Sequence, residues 1–152
     1  MTDPGIHILD LINHLFGELE NIKASAWSGF WNKNYYEDVQ FLGTTAKNAN
    51  LNCSISNVSW KSTFSIIVNG TKGYGQVSGR GRSYGIQRYI VGKRWGWSGN
   101  ISQGDTEEVV SESDCENSFI DEIKDIIINK NNIAATSEDG LKAMTLLYKI
   151  DE

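Results

Sequence analysis

The sequence predicts an α+β fold, and three successive patterns along the chain predict it. An amphipathic helix opens the chain, a long run of short strands with two-residue periodicity follows, and two further helices close it. Strands that follow one another through short turns pair antiparallel, and helices at both ends of such a run can cover the sheet. We therefore expect an open, largely antiparallel β-sheet of about six to seven strands with the helices packed on one face.

The first helix is predicted from apolar residues that recur at helical spacing between Ile6 and Phe16. Asp3 can cap the amino end of this helix, Pro4 suits its first position, and Gly17 is a natural stop. We therefore expect a helix from about Pro4 to Phe16.

The strands are predicted from alternating residues and from turn signals. In the stretch NLNCSISNVSW, Leu51, Cys53 and Ile55 alternate with polar residues, which is typical of a half-buried antiparallel strand. The β-branched stretch STFSIIV is followed by NGTKG, whose Asn-Gly pair indicates a hairpin. The strands carry many Ser, Asn, Trp and Tyr residues, so the face left uncovered by helices meets either water or a partner.

The two closing helices are predicted from start signals followed by apolar stripes. The first begins at Ser113 or Asp114 in SDCENSFIDEIKDIII, and the second begins at Thr136 or Ser137 in TSEDGLKAMTLLYKI. A chain of 152 residues suits one domain, so residues 1–152 are assigned to a single domain.

The composition excludes several function classes. The formal net charge of -5 argues against nucleic-acid and anionic-membrane partners. No apolar run approaches the ~18 residues of a membrane span, and the amino end lacks the pattern of a signal peptide. Cys53 and Cys115 are the only cysteines, and their spacing matches no zinc motif. We therefore expect a cytoplasmic protein without nucleic-acid or membrane partners.

Four titratable residues of the first helix carry its candidate chemistry. Asp3, His7, Asp10 and His14 are spaced by four, three and four residues, which places them on one helical face. Three interpretations remain open from these residues alone. The histidines can be partly buried packing side chains, the cluster can ligate zinc or iron, or His7 can be a general acid/base that a carboxylate orients.

Aromatic and basic residues of the strand region form a second candidate site. Aromatic rings stack on the apolar faces of sugars, and arginine grips phosphate or carboxylate with two donors, whereas ordinary strand packing beside a solvated basic edge is the alternative. The glycine-rich stretch GQVSGRGRSYG resembles a dinucleotide fingerprint, but we interpret it as a hairpin loop because no βαβ unit surrounds it. The candidates are Trp27, Trp31, Tyr35, Tyr36, Trp60, Trp95, Trp97, Arg80, Arg82, Arg88, Lys93 and Arg94.

Three segments together resemble the glucose-fructose oxidoreductase/inositol dehydrogenase (Gfo/Idh/MocA) family. DPGIHILDLINHLFGELENIKA is similar to the start of the family's C-terminal half, where Asp, three residues, His and a further Asp precede a run that ends in Leu-Phe-Gly. SWKSTFSIIVNGTKGYGQVSG resembles its Trp-containing strand and hairpin, and FIDEIKDIII with ATSEDGLKAMTLLYKI resembles its closing helix pair. The resemblance covers essentially the whole chain and implies a dihydrodipicolinate-reductase-like C-terminal domain.

The resemblance also implies a function. Family members join an NAD(P)-binding Rossmann domain to this domain and oxidise or reduce a secondary alcohol of a sugar, an inositol or a nucleotide sugar. Asp3 and His7 match the family's catalytic Asp and His, so His7 would take the hydroxyl proton and Asp3 would position His7 or the substrate. His14 matches no constant role, and substrate contacts are expected from Asp10, Trp27, Trp31, Tyr84 and Arg88.

The sequence departs from the family in one large respect, because it contains neither a Rossmann half nor the Glu-Lys-Pro motif that supplies the family's catalytic Lys. We therefore expect no cofactor in this chain, NAD or NADP in a full-length parent, and no activity without the Rossmann domain. The expected partners are that domain, a sugar-like substrate and further copies joined through the open sheet. The alternatives are a stand-alone binding or assembly module that dimerises through its sheet, and a small metal-dependent enzyme that uses His7 and His14.

Overall fold

Helices and strands follow the order that the sequence predicts. The protein is described by a computed structural model, which covers residues 2–31, 34–93, 106–110, 117, 120–129 and 135–151. The elements are α1 (Thr2–Phe16), β1 (Leu19–Trp27), β2 (Asp38–Thr45), β3 (Asn50–Ser56), β4 (Ser65–Asn69), β5 (Gly73–Ser78), a 3₁₀ turn (Arg82–Tyr84), β6 (Gln87–Lys93), β7 (Thr106–Val110), a π-helical segment (Asp125–Asn129) and α2 (Ser137–Asp151). The α+β class is thus confirmed.

The described strands form two antiparallel sheets. The first sheet has the order β1-β2-β3 and the second has the order β4-β5-β6-β7, so every strand pairs with its neighbour in sequence. Residues 57–64, which connect β3 to β4, are not in strand conformation. The chain likewise separates into two compact units, residues 1–59 with 134–152 and residues 60–133. The first unit contains α1, the first sheet and α2, and the second contains the second sheet.

The first unit buries an apolar core among its helices and its sheet. Leu9 is 0% exposed and Ile12 is buried beside it, as the apolar stripe of α1 predicts. Along β2, buried Val39 and Phe41 alternate with exposed neighbours, which is the two-residue period of a strand with one covered face. The core residues are Leu9, Ile12, Leu19, Val39, Phe41, Ile55, Leu146, Leu147 and Ile150.

The ends of α1 agree with the predicted bounds. The backbone of Asp3 is extended, with φ -120° and ψ 124°, so the regular helix begins at Pro4. The peptide bond between Asp3 and Pro4 is cis. Gly17 takes a φ of 82°, which favours glycine, and its N–H donates to the carbonyl of Asn13 at 3.0 Å.

The start of α2 is fixed by a reciprocal cap. The backbone N–H and the hydroxyl of Thr136 donate to Asp139 Oδ2 at 2.8 and 2.6 Å, and the N–H of Asp139 donates to Thr136 Oγ1 at 3.3 Å. The predicted start at Thr136 or Ser137 is confirmed. The other predicted start, at Ser113 or Asp114, lies outside the described residues, and helical conformation is described over residues 120–124 before the π-helical segment.

Two turns shape the second sheet. The predicted Asn-Gly hairpin joins β4 to β5, where the N–H of Gly70 donates to the carbonyl of Gly73 at 2.8 Å. The glycine-rich stretch joins β5 to β6, as predicted for a hairpin loop. Gly79 has a φ of 75°, and a Cβ there would collide with the carbonyl oxygen of Ile86. Within the described ranges, no helix is long and apolar enough to cross a membrane.

Candidate functional site

The candidate acid/base pair lies on the first turns of α1. The i,i+4 spacing brings His7 Nε2 to 3.9 Å from Asp3 Oδ1, within ion-pair range but beyond a hydrogen bond. The side chains are 68% and 89% exposed, respectively, so a substrate hydroxyl can reach the imidazole. This geometry suits a proton acceptor with a carboxylate beside it.

The rest of the polar face of α1 is also accessible. Asp10 is half-buried and His14 is exposed. The exposure of both histidines disfavours the interpretation that they are partly buried packing side chains. In the part of the chain that the structure describes, no group of three or more His, Cys, Asp or Glu side chains could hold a metal ion.

Exposed aromatic side chains cluster between β1 and β2. Trp27 ends β1 and is 51% exposed, and Trp31 is 55% exposed. The rings of Phe30 and Trp31 meet edge to face, with centroids 4.7 Å apart and planes at 72°. Tyr35 and Tyr36 follow and are also exposed. We call residues 27–31 the aromatic loop, and its two predicted binding residues, Trp27 and Trp31, present accessible ring surface.

A buried carboxylate accepts hydrogen bonds from the backbone of the aromatic loop. Glu37 is 1% exposed, and its side chain accepts N–H groups from Gly29, Phe30 and Trp31 at 2.9, 2.7 and 2.9 Å. Glu37 is not among the residues predicted from the sequence, because an acidic residue before a strand usually marks a solvated turn. Its only sequence signal is its position between an aromatic stretch and the strongly alternating β2.

Two predicted binding residues of the second unit, Tyr84 and Arg88, have protein partners. The Arg80 guanidinium lies 5.5 Å from the ring centroid of Phe64 and 5.7 Å from that of Tyr84. Arg88 pairs with Glu107 on β7 at 2.7 Å, so a substrate anion would compete with that carboxylate. Three of the other aromatic and basic candidates, Trp95, Trp97 and Arg94, lie outside the described residues.

The predicted site residues therefore fall in both units. The structure brings Asp3 and His7 together, and it places Asp10, Trp27 and Trp31 in the same unit as that pair. Tyr84 and Arg88 belong to the second unit. The catalytic and substrate-binding roles of these residues stay predictions.

Cys53 on β3 is a free thiol. Its burial raises the pKa of the thiol to about 11. The thiolate is the reactive form of cysteine, so at neutral pH this residue behaves as a packing side chain rather than a nucleophile.

The fold and the Asp3–His7 pair define an α+β domain with a candidate acid/base at its first helix. The family model described as "Oxidoreductase family, C-terminal alpha/beta domain" matches residues 1–150, and the chain belongs to this Gfo/Idh/MocA family. The resemblance carried by the three segments is thereby confirmed. None of the curated proteins matches the chain.

Solved oxidoreductases share the fold of the chain. The UDP-N-acetylglucosamine 3-dehydrogenase GnnA from Acidithiobacillus ferrooxidans is 15% identical with a TM-score of 0.67, over 96% of this chain and 45% of that one. An oxidoreductase from Thermotoga maritima is 14% identical with a TM-score of 0.58, over 97% of this chain and 40% of that one. The chain therefore spans less than half the length of these structures.

Proposed function

We propose that this chain is the substrate-binding and oligomerisation domain of an NAD(P)-dependent dehydrogenase that acts on a sugar, nucleotide-sugar or inositol-type alcohol. In this proposal, residues 1–152 work as one domain of a cytoplasmic enzyme and are inactive without a Rossmann domain. The accessible Asp3–His7 pair on α1 is the observation that carries the proposal. Membership of the oxidoreductase family supports it, and so does the fold shared with a dehydrogenase named for a nucleotide sugar.

The role of this chain in the reaction is to move a proton. His7 accepts the proton of the substrate hydroxyl at Nε2, and the hydroxyl oxygen becomes the oxygen of the product ketone. The Asp3 carboxylate lies 3.9 Å from Nε2 and helps to position His7 or the substrate. NAD or NADP, when a Rossmann domain holds it, would accept the hydride that leaves the carbon atom bearing this hydroxyl group.

The division of labour can be tested on two proteins. By calorimetry, the isolated chain should show no saturable binding of NAD or NADP, and tight binding of either would contradict the proposal. In a full-length parent, His7→Ala should lower kcat by ~10²–10⁴, the usual contribution of a general acid/base. The matched control is His14→Ala on the same helix, for which kcat should change within a few-fold. An equally small change at His7 would leave it without a catalytic role.

The second sheet supports the oligomerisation part of the proposal. On one face, Ile67 and Val109 are 58% and 55% exposed, and on the other face, Val68 and Val91 are 42% and 41% exposed. Large apolar side chains that are exposed on a sheet favour an interaction surface. The same observation favours the second candidate function, an assembly module derived from a dehydrogenase, because such a module would also associate through this sheet.

The association surface can be tested with two variants of similar chemistry. Ile67→Lys places a charge on the second sheet and should weaken self-association by about tenfold or more, because a charge in an apolar contact must be desolvated. Leu42→Lys is the control, since Leu42 is 54% exposed on the first sheet. Sedimentation velocity over a concentration series measures both. Equal weakening by the two variants, or a monomeric native chain, would contradict association through the second sheet.

A further inference from the structure

We propose that Glu37 is a positioning residue, whose buried carboxylate holds the aromatic loop so that Phe30 and Trp31 can stack on the apolar face of a sugar ring. The inference rests on the proposed function for its substrate class. It adds a residue that makes no substrate contact of its own and acts through the backbone of the loop.

Backbone hydrogen bonds within the first unit hold Glu37 in place. Its N–H donates to the carbonyl of Trp27 at 2.9 Å, and its carbonyl accepts the N–H of Asn57 at 2.8 Å. The backbone of Glu37 is thereby tied to the end of β1 on one side and to the residue after β3 on the other. A side chain that starts from such a position is a rigid anchor for whatever it binds.

Both oxygens of the Glu37 carboxylate accept hydrogen bonds from the loop. Oε2 accepts from Gly29 and Phe30, and Oε1 accepts from Trp31. A carboxylate is an acceptor at both oxygens, and hydrogen bonds to an ionised group are roughly twice as strong as neutral ones. Burying a charged side chain is costly unless it is paired or hydrogen-bonded, so the burial of Glu37 indicates that these bonds hold in the native protein.

The aromatic loop that these hydrogen bonds hold exposes its side chains to solvent instead of burying them in the core. Its backbone is tied down at three consecutive residues, yet Phe30 is 57% exposed and Trp31 is 55% exposed. Large exposed aromatic side chains cost solubility, and the rings of Phe30 and Trp31 contact each other edge to face while more than half of each side chain stays exposed. An ordered, exposed edge-to-face pair presents a ring surface without further loss of conformational entropy, which favours binding.

A glutamine at position 37 is the sharpest test, because it keeps the size of the side chain and changes one acceptor into a donor. If its amide oxygen faces Gly29 and Phe30, its NH₂ group faces the N–H of Trp31, and the reverse orientation loses two bonds. Glu37→Gln should therefore speed amide hydrogen exchange in the loop by about tenfold or more. Glu37→Asp keeps two acceptor oxygens on a shorter arm and should fall between the native chain and Glu37→Gln. Glu20→Gln removes an exposed carboxylate from β1 and should change nothing.

Sugar binding is measured with N-acetylglucosamine as the probe, at a temperature well below unfolding. The readout is titration of the Trp31 indole N–H signal, except for Trp31→Ala, which lacks that signal and is titrated by calorimetry. The native chain and Glu20→Gln should respond alike, whereas Glu37→Gln should bind about tenfold or more weakly. Trp31→Ala leaves the three N–H donors in place and should abolish binding, because the ring that stacks on the sugar is removed. If Glu37→Gln fails to fold, Glu37→Asp supplies the test of position 37, with probe binding between that of the native chain and none.

Three results would overturn the inference. These are native-like loop exchange in Glu37→Gln, native-like probe binding in that variant, or a Trp31 indole in the native chain that responds only to protein concentration and not to the sugar. The last result would assign the loop to self-association. The test needs neither NAD(P) nor turnover, so sugar binding at Trp31 without catalysis in a full-length parent would count against the proposed function alone.

Discussion

The two units of this protein treat their apolar side chains in opposite ways. In the first unit, α1, α2 and the first sheet bury a contiguous core that includes Leu9 and Phe41 at 0% and 1% exposure. In the second unit, the described strands carry comparable side chains, such as Ile67 at 58%, that stay exposed on both sheet faces. The first unit therefore contains its own source of hydrophobic stabilisation, whereas the second sheet depends on its backbone ladder and on whatever covers it.

The largest test of this contrast compares one aliphatic side chain from each unit. Leu9→Ala should lower the free energy of unfolding by ~2–5 kcal/mol, because it leaves a cavity in a closed core. Ile67→Ala should change it by about 0.5 kcal/mol or less, the usual range for a surface substitution. Urea unfolding at a concentration where the chain is monomeric measures both. A loss at Ile67 as large as that at Leu9 would show that the second sheet is covered in solution, and the contrast would fail.

A glycine from each unit gives the next largest effect. Gly79→Ala should cost about 1–3 kcal/mol, because the φ of 75° disfavours any other residue and the new Cβ meets the carbonyl of Ile86. Gly140 lies in α2 with open space at its Cβ position, so Gly140→Ala should instead stabilise the protein by up to about 1 kcal/mol. The difference in urea midpoint between the two variants is the measurement. Equal and small effects would mean that the β5–β6 loop rearranges freely and contributes little to the second sheet.

The same contrast explains how much of the fold could be predicted from the sequence. The stripe of α1, the alternation in β3 and the cap of α2 are local patterns, and each was found at the predicted place. The division of the strands into two sheets was not predicted, because periodicity shows that a strand is half-buried without showing which strand it pairs with.

The candidate site could also be predicted only in part from the sequence. The four-residue spacing of Asp3 and His7 predicts that they lie close together at the start of a helix, and the structure places His7 Nε2 3.9 Å from Asp3 Oδ1. The spacing says nothing of Arg88, whose partner Glu107 lies on another strand. Glu37 could not be found either, since its role depends on backbone N–H groups that point toward it, and any residue type can provide those.

The smallest effect concerns the cap that starts α2 in the first unit. Thr136→Ala should lower the free energy of unfolding by ~0.5–2 kcal/mol, because the amino end of the helix loses its capping hydroxyl. The hydrogen bonds from the hydroxyl and the N–H of Thr136 also lower the pKa of the Asp139 carboxyl from its usual value of 3.8. A lowered carboxyl pKa stabilises the fold above that usual value, and the stabilisation is lost as the pH falls through the lowered pKa.

Native protein and Thr136→Ala should therefore differ most in stability near neutral pH and converge as Asp139 becomes protonated in both. Thermal unfolding at a series of pH values down to about pH 2 measures the difference. Ser137→Ala is the control, since its substitution leaves the reciprocal pair of Thr136 and Asp139 intact and should shift stability equally at every pH. A stability difference between native protein and Thr136→Ala that stays constant into acid would mean that the cap acts through the hydroxyl alone, without the ionised carboxylate.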